Sequence, residues 1–224
     1  MKKKLTEIEL AEKVIKWLEC QHWDVYQEVQ PSGEGPVADL VAIQNNYIWI
    51  IEVKQSLSLA LLEQASHWLG YAHFVSVAHE KRRKWSKGQN VAAAFMRWKG
   101  IGELSIGHRN INMVDELIDA KLHRKVLAYY IRNRLVEEQK TFAKAGNPNG
   151  MRWTPYQQTC RNILTLVDEQ PGIYLKELID NLQHHYASNQ SARSSLSHWA
   201  RAGKIKGIRT ETDGRYLRFY PSTK

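Results

Sequence analysis

Two short apolar runs separated by two asparagines constrain the fold of this chain more than any other feature. The runs span residues 36–44 and 47–54 and are rich in β-branched and other apolar residues, a composition typical of strands buried in a sheet. Asn45 and Asn46 lie between them. Asn tolerates the positive φ angles that a two-residue hairpin turn requires. The segment therefore predicts a β-hairpin.

The predicted hairpin brings three charged side chains together. A two-residue turn places Gln44 opposite Tyr47, and counting outward then places Asp39 opposite Glu52. Lys54 joins them, because residues two apart in a strand share a face. Facing carboxylates destabilise a hairpin unless something compensates their charge. A divalent cation with oxygen ligands, Mg²⁺ or Mn²⁺, would do so, and we therefore expect a metal site here.

The composition indicates a polyanionic partner and no membrane span. The 224 residues include 32 Lys and Arg against 23 Asp and Glu, a net charge of +9, which favours a polyanion such as DNA. No apolar run reaches the roughly 18 residues of a membrane-spanning helix. Cys20 and Cys160 lie far apart and form no CxxC pair, which is typical of free thiols in a reducing compartment. We therefore expect a cytoplasmic protein.

The first half of the chain predicts an α/β core with a mixed sheet. Thr6 and Glu9 have the spacing of a capping box at the start of a first helix. Helical and extended patterns then alternate, which is typical of α/β proteins. The expected helices span residues 5–20, 58–68 and 89–98, and the expected strands span residues 23–30, 37–44, 47–54, 72–78 and 100–107.

The second half predicts a connector and a smaller α+β domain. Residues 113–144 are charged and contain no Gly or Pro, so we expect one or two long helices there, followed by a linker over 145–150. Three helices and a terminal hairpin then form a winged-helix arrangement, with helices near residues 155–167, 174–183 and 191–202 and strands near 204–211 and 215–220. The expected organisation is a core domain over residues 1–110, a helical connector and linker over 111–150, and a winged helix over 151–224.

The set formed by Asp39 and Glu52-Val-Lys54, on a hairpin that follows an N-terminal helix, resembles the PD-(D/E)XK nuclease superfamily. The resemblance covers roughly residues 5–107 and implies a restriction-endonuclease-like fold, a mixed sheet flanked by helices. It also implies metal-assisted hydrolysis of phosphodiesters. Asp39 and Glu52 would hold Mg²⁺, which activates a bound water, and Lys54 would orient or deprotonate that water. A set of structural salt bridges on a half-solvated strand is the alternative interpretation.

The resemblance suggests three further site residues. Members of the superfamily often add an acidic residue from the first helix, and Glu12 flanks the apolar stripe of that helix, whereas Glu9 already has a capping role. Glu28 would face Asp39 on the neighbouring strand and could also bind the metal. Gln64, on the helix after Lys54, would contact the site or a phosphate. The alternative for each is an ordinary polar surface residue.

Basic residues predict the DNA-binding surfaces. The loop after the fourth strand is strongly basic and lies beside the expected site, which favours phosphate contacts. The third helix of the winged-helix domain presents Arg and small polar residues, which suit recognition in a major groove. A winged helix used for protein contacts is the alternative. The expected DNA-binding residues are Lys81, Arg82, Arg83 and Lys84 in the loop, Arg193, Ser194, Ser197 and Arg201 on the helix, and Arg209, Arg215 and Arg218 on the wing.

The sequence thus predicts a Mg²⁺-dependent DNA endonuclease targeted to DNA by a winged helix. The layout is compatible with restriction, recombination, transposition and defence nucleases. Double-strand cleavage by a single active site requires a partner, either a second copy of the chain or another protein. The competing hypothesis is a non-catalytic DNA-binding or regulatory protein that retains the nuclease fold, and a nuclease acting on RNA fits the charge but fits the winged helix less well.

Overall fold

The structure is a computed structural model, and it describes residues 4–31, 35–81, 87–107, 114–147 and 152–222. The chain forms two compact units, residues 1–153 and residues 154–224. Each unit has its own sheet, a mixed one of six strands in the first and one of three strands in the second. The chain is therefore an α/β protein with a small second sheet.

The first unit is a six-stranded mixed sheet between helices. Its strands lie in sequence order, with β3, β4 and β5 parallel to one another and the outer pairs antiparallel. Helix α1 packs on one face, and helices α2 and α3 pack on the other. The elements are α1 (Glu7–Glu19), β1 (Asp24–Val29), β2 (Ala38–Gln44), β3 (Tyr47–Lys54), α2 (Leu59–His67), a 3₁₀ helix (Trp68–Gly70), β4 (Phe74–Glu80), α3 (Lys87–Lys99), β5 (Gly102–Ile106) and β6 (Val114–Ile118).

Helix α1 begins as its sequence predicts. The hydroxyl of Thr6 accepts a hydrogen bond from the backbone N–H of Glu9, and the Glu9 carboxylate accepts one from the backbone N–H of Thr6. This capping box satisfies two backbone donors that the first turn leaves without partners. The buried face of the helix consists of Leu10, Ala11, Val14 and Leu18, which pack on the sheet.

The predicted hairpin and its register are confirmed. Gln44 pairs with Tyr47, and the ladder runs outward to Leu40 opposite Ile51. Asn45 has φ +53°, whereas Asn46 has an ordinary negative φ, so one of the two asparagines uses the left-handed region. One residue beyond this pair, Asp39 lies opposite Glu52.

The prediction of a helical connector over residues 111–150 is wrong for the residues that the structure describes there. Strand β6 extends the sheet of the first unit by pairing with β5. The one α-helix of this stretch is a single turn, α4 (Tyr129–Arg132), and a 3₁₀ helix spans Glu137–Lys140. The absence of Gly and Pro did not produce long helices, because tertiary packing overrides local propensity.

The second unit contains three helices and a three-stranded antiparallel sheet. The predicted helices and the C-terminal hairpin are present, and a two-residue strand precedes the second helix. Thr154 caps the first helix and Pro155 begins it, as expected for Pro at that position. The elements are α5 (Pro155–Glu169), β7 (Ile173–Tyr174), α6 (Leu175–Asn181), α7 (Asn189–Arg201), β8 (Ile208–Asp213) and β9 (Tyr216–Pro221), with sheet order β7-β9-β8.

Across the described ranges, each helix is too short or too polar to cross a bilayer.

Candidate functional site

Two carboxyl groups meet on the neighbouring strands β2 and β3. Asp39 accepts a hydrogen bond of 2.7 Å from the backbone N–H of Val53 through its Oδ2. Glu52 is 2% exposed, and its Oε1 accepts a hydrogen bond of 2.6 Å from the indole N–H of Trp68. The two carboxyl groups also hydrogen-bond to each other. Two acids on otherwise apolar strands are thus held in fixed positions by donors from the backbone and from a buried indole.

The pKa values of both acids are raised. Burial is the main cause for each, because a low dielectric disfavours a charged carboxylate. The neighbouring charge of Asp39 raises the pKa of Glu52 further, to well above its ordinary range. With both pKa values raised, protonation of this pair reduces the repulsion between the two acids when no cation is bound.

Lys54 lies at the end of β3 and is half-buried. Its Nζ is 3.4 Å from Oε2 of Glu7, and the two side chains are 39% and 29% exposed. The charge of Glu7 also raises the pKa of Asp39. Glu7, in the first turn of α1, is therefore the carboxylate that the first helix brings to the site.

Glu28 joins the site from β1 through an unusual backbone conformation. The predicted register is confirmed, since Gln27 pairs with Leu40 and Val29 pairs with Ala38, which places Glu28 beside Asp39. Glu28 has φ +52°, a left-handed conformation that is uncommon for a residue with a side chain. Burial raises the pKa of Glu28 to about 7, and the charge of Asp39 adds to that rise. Strained residues of this kind cluster at functional sites.

The chain segment at residues 140–147 closes one side of the site. The backbone N–H of Gly146 donates a hydrogen bond of 3.0 Å to Oε1 of Glu28, which partly lowers the pKa of Glu28. Gln27 binds the same segment twice. Its Oε1 accepts from the backbone N–H of Ala145 at 3.0 Å, and its Nε2 donates to the carbonyl of Lys140 at 2.7 Å. The segment is thus fixed to β1 by hydrogen bonds with the side chains of Gln27 and Glu28.

Glu12, the acidic residue predicted from the first helix, is engaged outside the site. It forms an ion pair of 2.6 Å with Lys144, and its side chain is 44% exposed, so the first helix contributes Glu7 to the site instead. Gln64 is exposed on α2, and its contact with the site or a phosphate stays a prediction. Trp68, four residues later, donates a hydrogen bond to Glu52.

The predicted basic loop is described only at its first residue. Lys81 is exposed and forms an ion pair of 2.7 Å with Asp115 of β6. Arg82, Arg83 and Lys84 lie outside the described residues. An exposed pair of this kind contributes little to stability, so Lys81 can exchange its partner for a phosphate at small cost.

In the second unit, five of the seven predicted DNA-binding residues line a basic groove. Its volume is about 520 Å³, and it lies between α7, the start of α6 and the turn before β9. The buried Nε of Arg193 has no hydrogen-bond partner among the described residues. A buried donor without a partner is rare in folded proteins. The groove is lined by Tyr174, Leu175, Lys176, Gln190, Arg193, Ser194, Ser197, Arg201, Arg215, Tyr216 and Leu217.

The remaining two arginines of the predicted wing do not line this groove. Arg209 forms an ion pair with Glu211 and lies 4.7 Å from the centre of the Tyr220 ring. Arg218 binds Asp213 at 2.7 Å. Both guanidinium groups are therefore engaged with an acidic neighbour in β8.

Sequence reasoning missed Glu7 and Trp68. Glu7 was detectable, since it lies three and four residues before Leu10 and Ala11 and extends the buried stripe of α1 by one turn. Trp68 carries no comparable signal, because its contact with Glu52 depends on how α2 packs against the sheet.

The donors at this site are suited to a hard cation, since carboxylate oxygens are the ligands that Mg²⁺ prefers. Within the described ranges, no group of three or more His, Cys, Asp or Glu side chains is already arranged to hold a metal ion. Burial first, and then the charge of a neighbouring carboxylate, raises the pKa values of Glu28, Asp39 and Glu52. The chemistry of the site therefore fits a divalent cation that displaces protons on binding.

Comparison with known proteins identifies no family. No family model matches the sequence, and no curated protein matches it. A solved structure with a similar chain course is a protein of unknown function from Silicibacter pomeroyi. It shares 16% identity with a TM-score of 0.44, over 59% of this chain and 85% of that one. At that score the likeness supports neither a fold nor a function.

Proposed function

We propose that this chain is a Mg²⁺-dependent DNA endonuclease with a PD-(D/E)XK-type core and a C-terminal winged-helix domain. The observation that carries the proposal is the meeting of Asp39, Glu52 and Lys54 on a buried hairpin, with Glu28 on the next strand. Burying several acids is costly, and a purely structural role does not explain why this chain buries them. A reaction that depends on a bound cation would explain it.

Asp39 and Glu52 would hold the metal, with Glu28 as a further ligand. Mg²⁺ or Mn²⁺ bound there would polarise the phosphate and lower the pKa of a water molecule. The N–H of Val53 and the indole of Trp68 keep the two carboxylates in place, as outer partners of metal ligands commonly do. Metal binding would displace protons from these carboxyl groups, whose pKa values are raised.

Lys54 would orient the attacking water and stabilise the charge that develops on the phosphate. Its ion pair with Glu7 is half-buried and 3.4 Å long. That contact holds the ammonium group near Asp39 and leaves donors for a substrate oxygen, because an ammonium has three. Glu7 would thus act as a positioning residue for Lys54.

The second unit would bring the enzyme to DNA. Its three helices and its sheet of order β7-β9-β8 are the elements expected of a winged helix. The groove lined by Arg193, Ser194, Ser197, Arg201 and Arg215 supports this role, because arginine and small polar side chains bind phosphates and base edges. The same groove supports the second candidate, a DNA-binding protein without catalysis.

A paired assay of cleavage and binding separates the two candidates. The nuclease proposal predicts that Asp39→Asn and Lys54→Met lose at least about 100-fold in cleavage rate and retain DNA affinity. A wild-type protein that binds DNA without cutting it in Mg²⁺ or Mn²⁺, and whose binding equals that of both variants, would support the non-catalytic alternative. An RNA duplex of the same sequence, run in parallel, tests the choice of nucleic acid.

A further inference from the structure

Four aromatic rings form a row on the first unit, outside the candidate site. His67 and Tyr71 stack with their ring centroids 5.8 Å apart and their planes inclined by 19°. Tyr71 and Tyr130 pack edge-on at 6.2 Å, and Tyr130 stacks on Tyr129 at 4.3 Å. We call these four rings the aromatic row. Tyr129 and Tyr130 are 53% and 48% exposed, so this end of the row is open to solvent.

The ring of Tyr129 has a free face. Its stacking on Tyr130 covers one face, and among the described residues no second ring or cation lies against the other. Trp98 on α3 differs in this respect, although it is 75% exposed. Lys99 lies over its ring at 4.3 Å, and Phe95 packs against it at 6.1 Å. An open aromatic face of the Tyr129 kind is what an unpaired base stacks on.

The chain segment that carries the open end of the row is basic. Residues 121–134 include five Lys and Arg and neither Asp nor Glu. Arg132 lies three residues after Tyr129 on α4, and residues with this spacing are neighbours on a helix surface. Its two terminal nitrogens donate to the carbonyl of Asn45 at 3.3 and 3.4 Å. This leaves further N–H donors of the guanidinium beside the open ring, because a guanidinium has five.

The basic segment is held in place by the sheet domain. Ile131 is fully buried in the core, and three backbone hydrogen bonds of 2.8–3.0 Å anchor the residues before α4. These bonds run from the N–H groups of Lys121, His123 and Leu127 to the carbonyls of Gly100, His73 and Gly70. The surface therefore exists before a ligand arrives, and binding costs little ordering of the backbone.

A single-stranded nucleic acid suits this surface better than a second copy of the chain does. A two-fold contact would bring residues 121–134 of both copies face to face, and their like charges would repel. A single strand supplies phosphates for the basic side chains and flat bases for the open ring. Glu63 lies one turn before His67 on α2, so it places negative charge at the other end of the row. The binding is therefore assigned to the Tyr129 end.

We propose that Tyr129 and residues 121–134 form a binding surface for single-stranded nucleic acid, with a base stacked on Tyr129 and a phosphate bound by Arg132. The proposal goes beyond the nuclease function and does not depend on cleavage. It also differs from the role of the basic groove in the second unit, because bases that are stacked inside a duplex cannot reach Tyr129.

The test measures binding to four labelled probes by fluorescence anisotropy in EDTA, where a metal-dependent nuclease is inactive. The probes are an oligo-dT of about 12 nucleotides, an abasic oligomer of the same length, an oligo-rU and a DNA duplex. The variants are Tyr129→Ala, Tyr129→Phe and Arg132→Ala. Trp98→Ala is the control, because it removes an exposed ring of the same unit that Lys99 already covers.

Tyr129→Ala is expected to lower the affinity for oligo-dT about 10-fold, without a change in duplex affinity or thermal midpoint. Tyr129→Phe keeps the ring and should match the wild type, as should Trp98→Ala. The wild type should bind the abasic oligomer more weakly than oligo-dT, since that oligomer keeps the phosphates and lacks the bases. Arg132→Ala should reduce the salt dependence of oligo-dT binding by about 0.7 in slope.

Two results would overturn the proposal directly. One is an unchanged oligo-dT affinity in Tyr129→Ala, and the other is equal affinity of the wild type for oligo-dT and the abasic oligomer. Sedimentation velocity adds a third. If Tyr129→Ala changed the oligomeric state but not the oligo-dT affinity, the surface would serve protein contacts instead.

The oligo-rU probe distinguishes RNA from DNA as the source of the unpaired bases. Tighter binding of either strand, lost in Tyr129→Ala, supports the surface and identifies its ligand. Because no turnover is involved, the outcome is separate from that of the nuclease assay. A wild type that cuts no DNA but binds oligo-dT through Tyr129 would leave this surface standing while the endonuclease proposal fails.

Discussion

The backbone N–H of Gly146 donates a 3.0 Å hydrogen bond to Glu28, and the same glycine lies against Glu7. A Cβ atom added at Gly146 would lie 2.7 Å from Cβ of Glu7. One backbone position from the segment at residues 140–147 therefore binds the carboxylate of Glu28 and lies against the backbone and Cβ of Glu7. This part of the chain, far from the hairpin in sequence, helps to build the site.

Gly146→Ala should destabilise the first unit by about 2–4 kcal/mol. Gly146 has φ +77°, so an L side chain is strained there, and the added Cβ would also collide with the backbone carbon of Glu7 at 2.9 Å. Urea unfolding measures the loss. Gly203→Ala is the matched control, because Gly203 has φ +65° but nothing within 4 Å of an added Cβ. It should cost about 1 kcal/mol, and equal costs would contradict the packing of Gly146 on Glu7.

Trp68→Phe should weaken Mg²⁺ binding about 10-fold, since it removes the N–H that orients Glu52. Trp49→Phe provides the control. Trp49 is also buried, and its indole N–H donates a hydrogen bond of 2.9 Å to the hydroxyl of Ser76 on β4. Both substitutions should cost stability, by about 1–3 kcal/mol each, but calorimetric titration should show a loss of metal affinity for Trp68→Phe alone. Equal metal affinities would mean that the indole has no role at the site.

Glu7→Gln should lower the cleavage rate, and Glu12→Gln should leave it unchanged within about twofold. Glu7 contacts Lys54, whereas Glu12 contacts Lys144 through a largely exposed ion pair, which is worth at most about 1 kcal/mol. Initial cleavage rates at saturating Mg²⁺ provide the comparison. A larger effect at Glu12 would restore the original expectation for the first helix.

Glu28→Gln should stabilise the metal-free protein at high pH. Burial raises the pKa of Glu28 to about 7 from 4.5, so the folded state binds a proton more tightly than the unfolded state does. Its contribution to stability is full below about pH 4.5 and is lost as the pH rises through about 7. In EDTA, the advantage of the variant over the wild type should therefore grow between pH 5 and 8 by about 2–3 kcal/mol. An advantage that is constant with pH would contradict the raised pKa.

Arg201→Ala and Arg215→Ala should each weaken DNA binding several-fold and reduce its salt dependence by about one counterion. Both residues line the basic groove of the second unit. Arg218→Ala is the control, because Arg218 is engaged by Asp213 and lies outside the groove. Arg218→Ala should change the stability of the protein more than its DNA affinity. Anisotropy titrations at several salt concentrations measure that affinity. If Arg218→Ala lowered the DNA affinity the most, this assignment would be contradicted.

Local patterns predicted the hairpin and its partner strand because their information is contained within a few residues. The two asparagines set the register that brings Asp39 and Glu52 together, and the same counting placed Glu28 beside Asp39. The alternation of side chains along a strand and the residue preferences of a turn depend only on neighbouring residues. These local patterns were sufficient to predict which carboxylates face one another on the strands.

Contacts between distant segments could not be predicted in the same way. Trp68 reaches Glu52 only because of how α2 packs, and Gly146 reaches Glu28 across 118 sequence positions. Strand β6 was mistaken for helix because residues 113–144 lack Gly and Pro, whereas its pairing with β5 decides its structure. Glu7 was missed because the buried stripe of α1 was not extended into its first turn.

The measurement that tests the central claim most directly is cleavage of supercoiled plasmid by the purified protein in Mg²⁺, with Glu52→Gln beside it. Glu52→Gln keeps the size of the side chain and an oxygen for the Trp68 hydrogen bond, but it removes the ligand charge. The account predicts nicked or linear DNA with the wild type, no product in EDTA, and no product with the variant. Equal cleavage by the wild type and Glu52→Gln would contradict it.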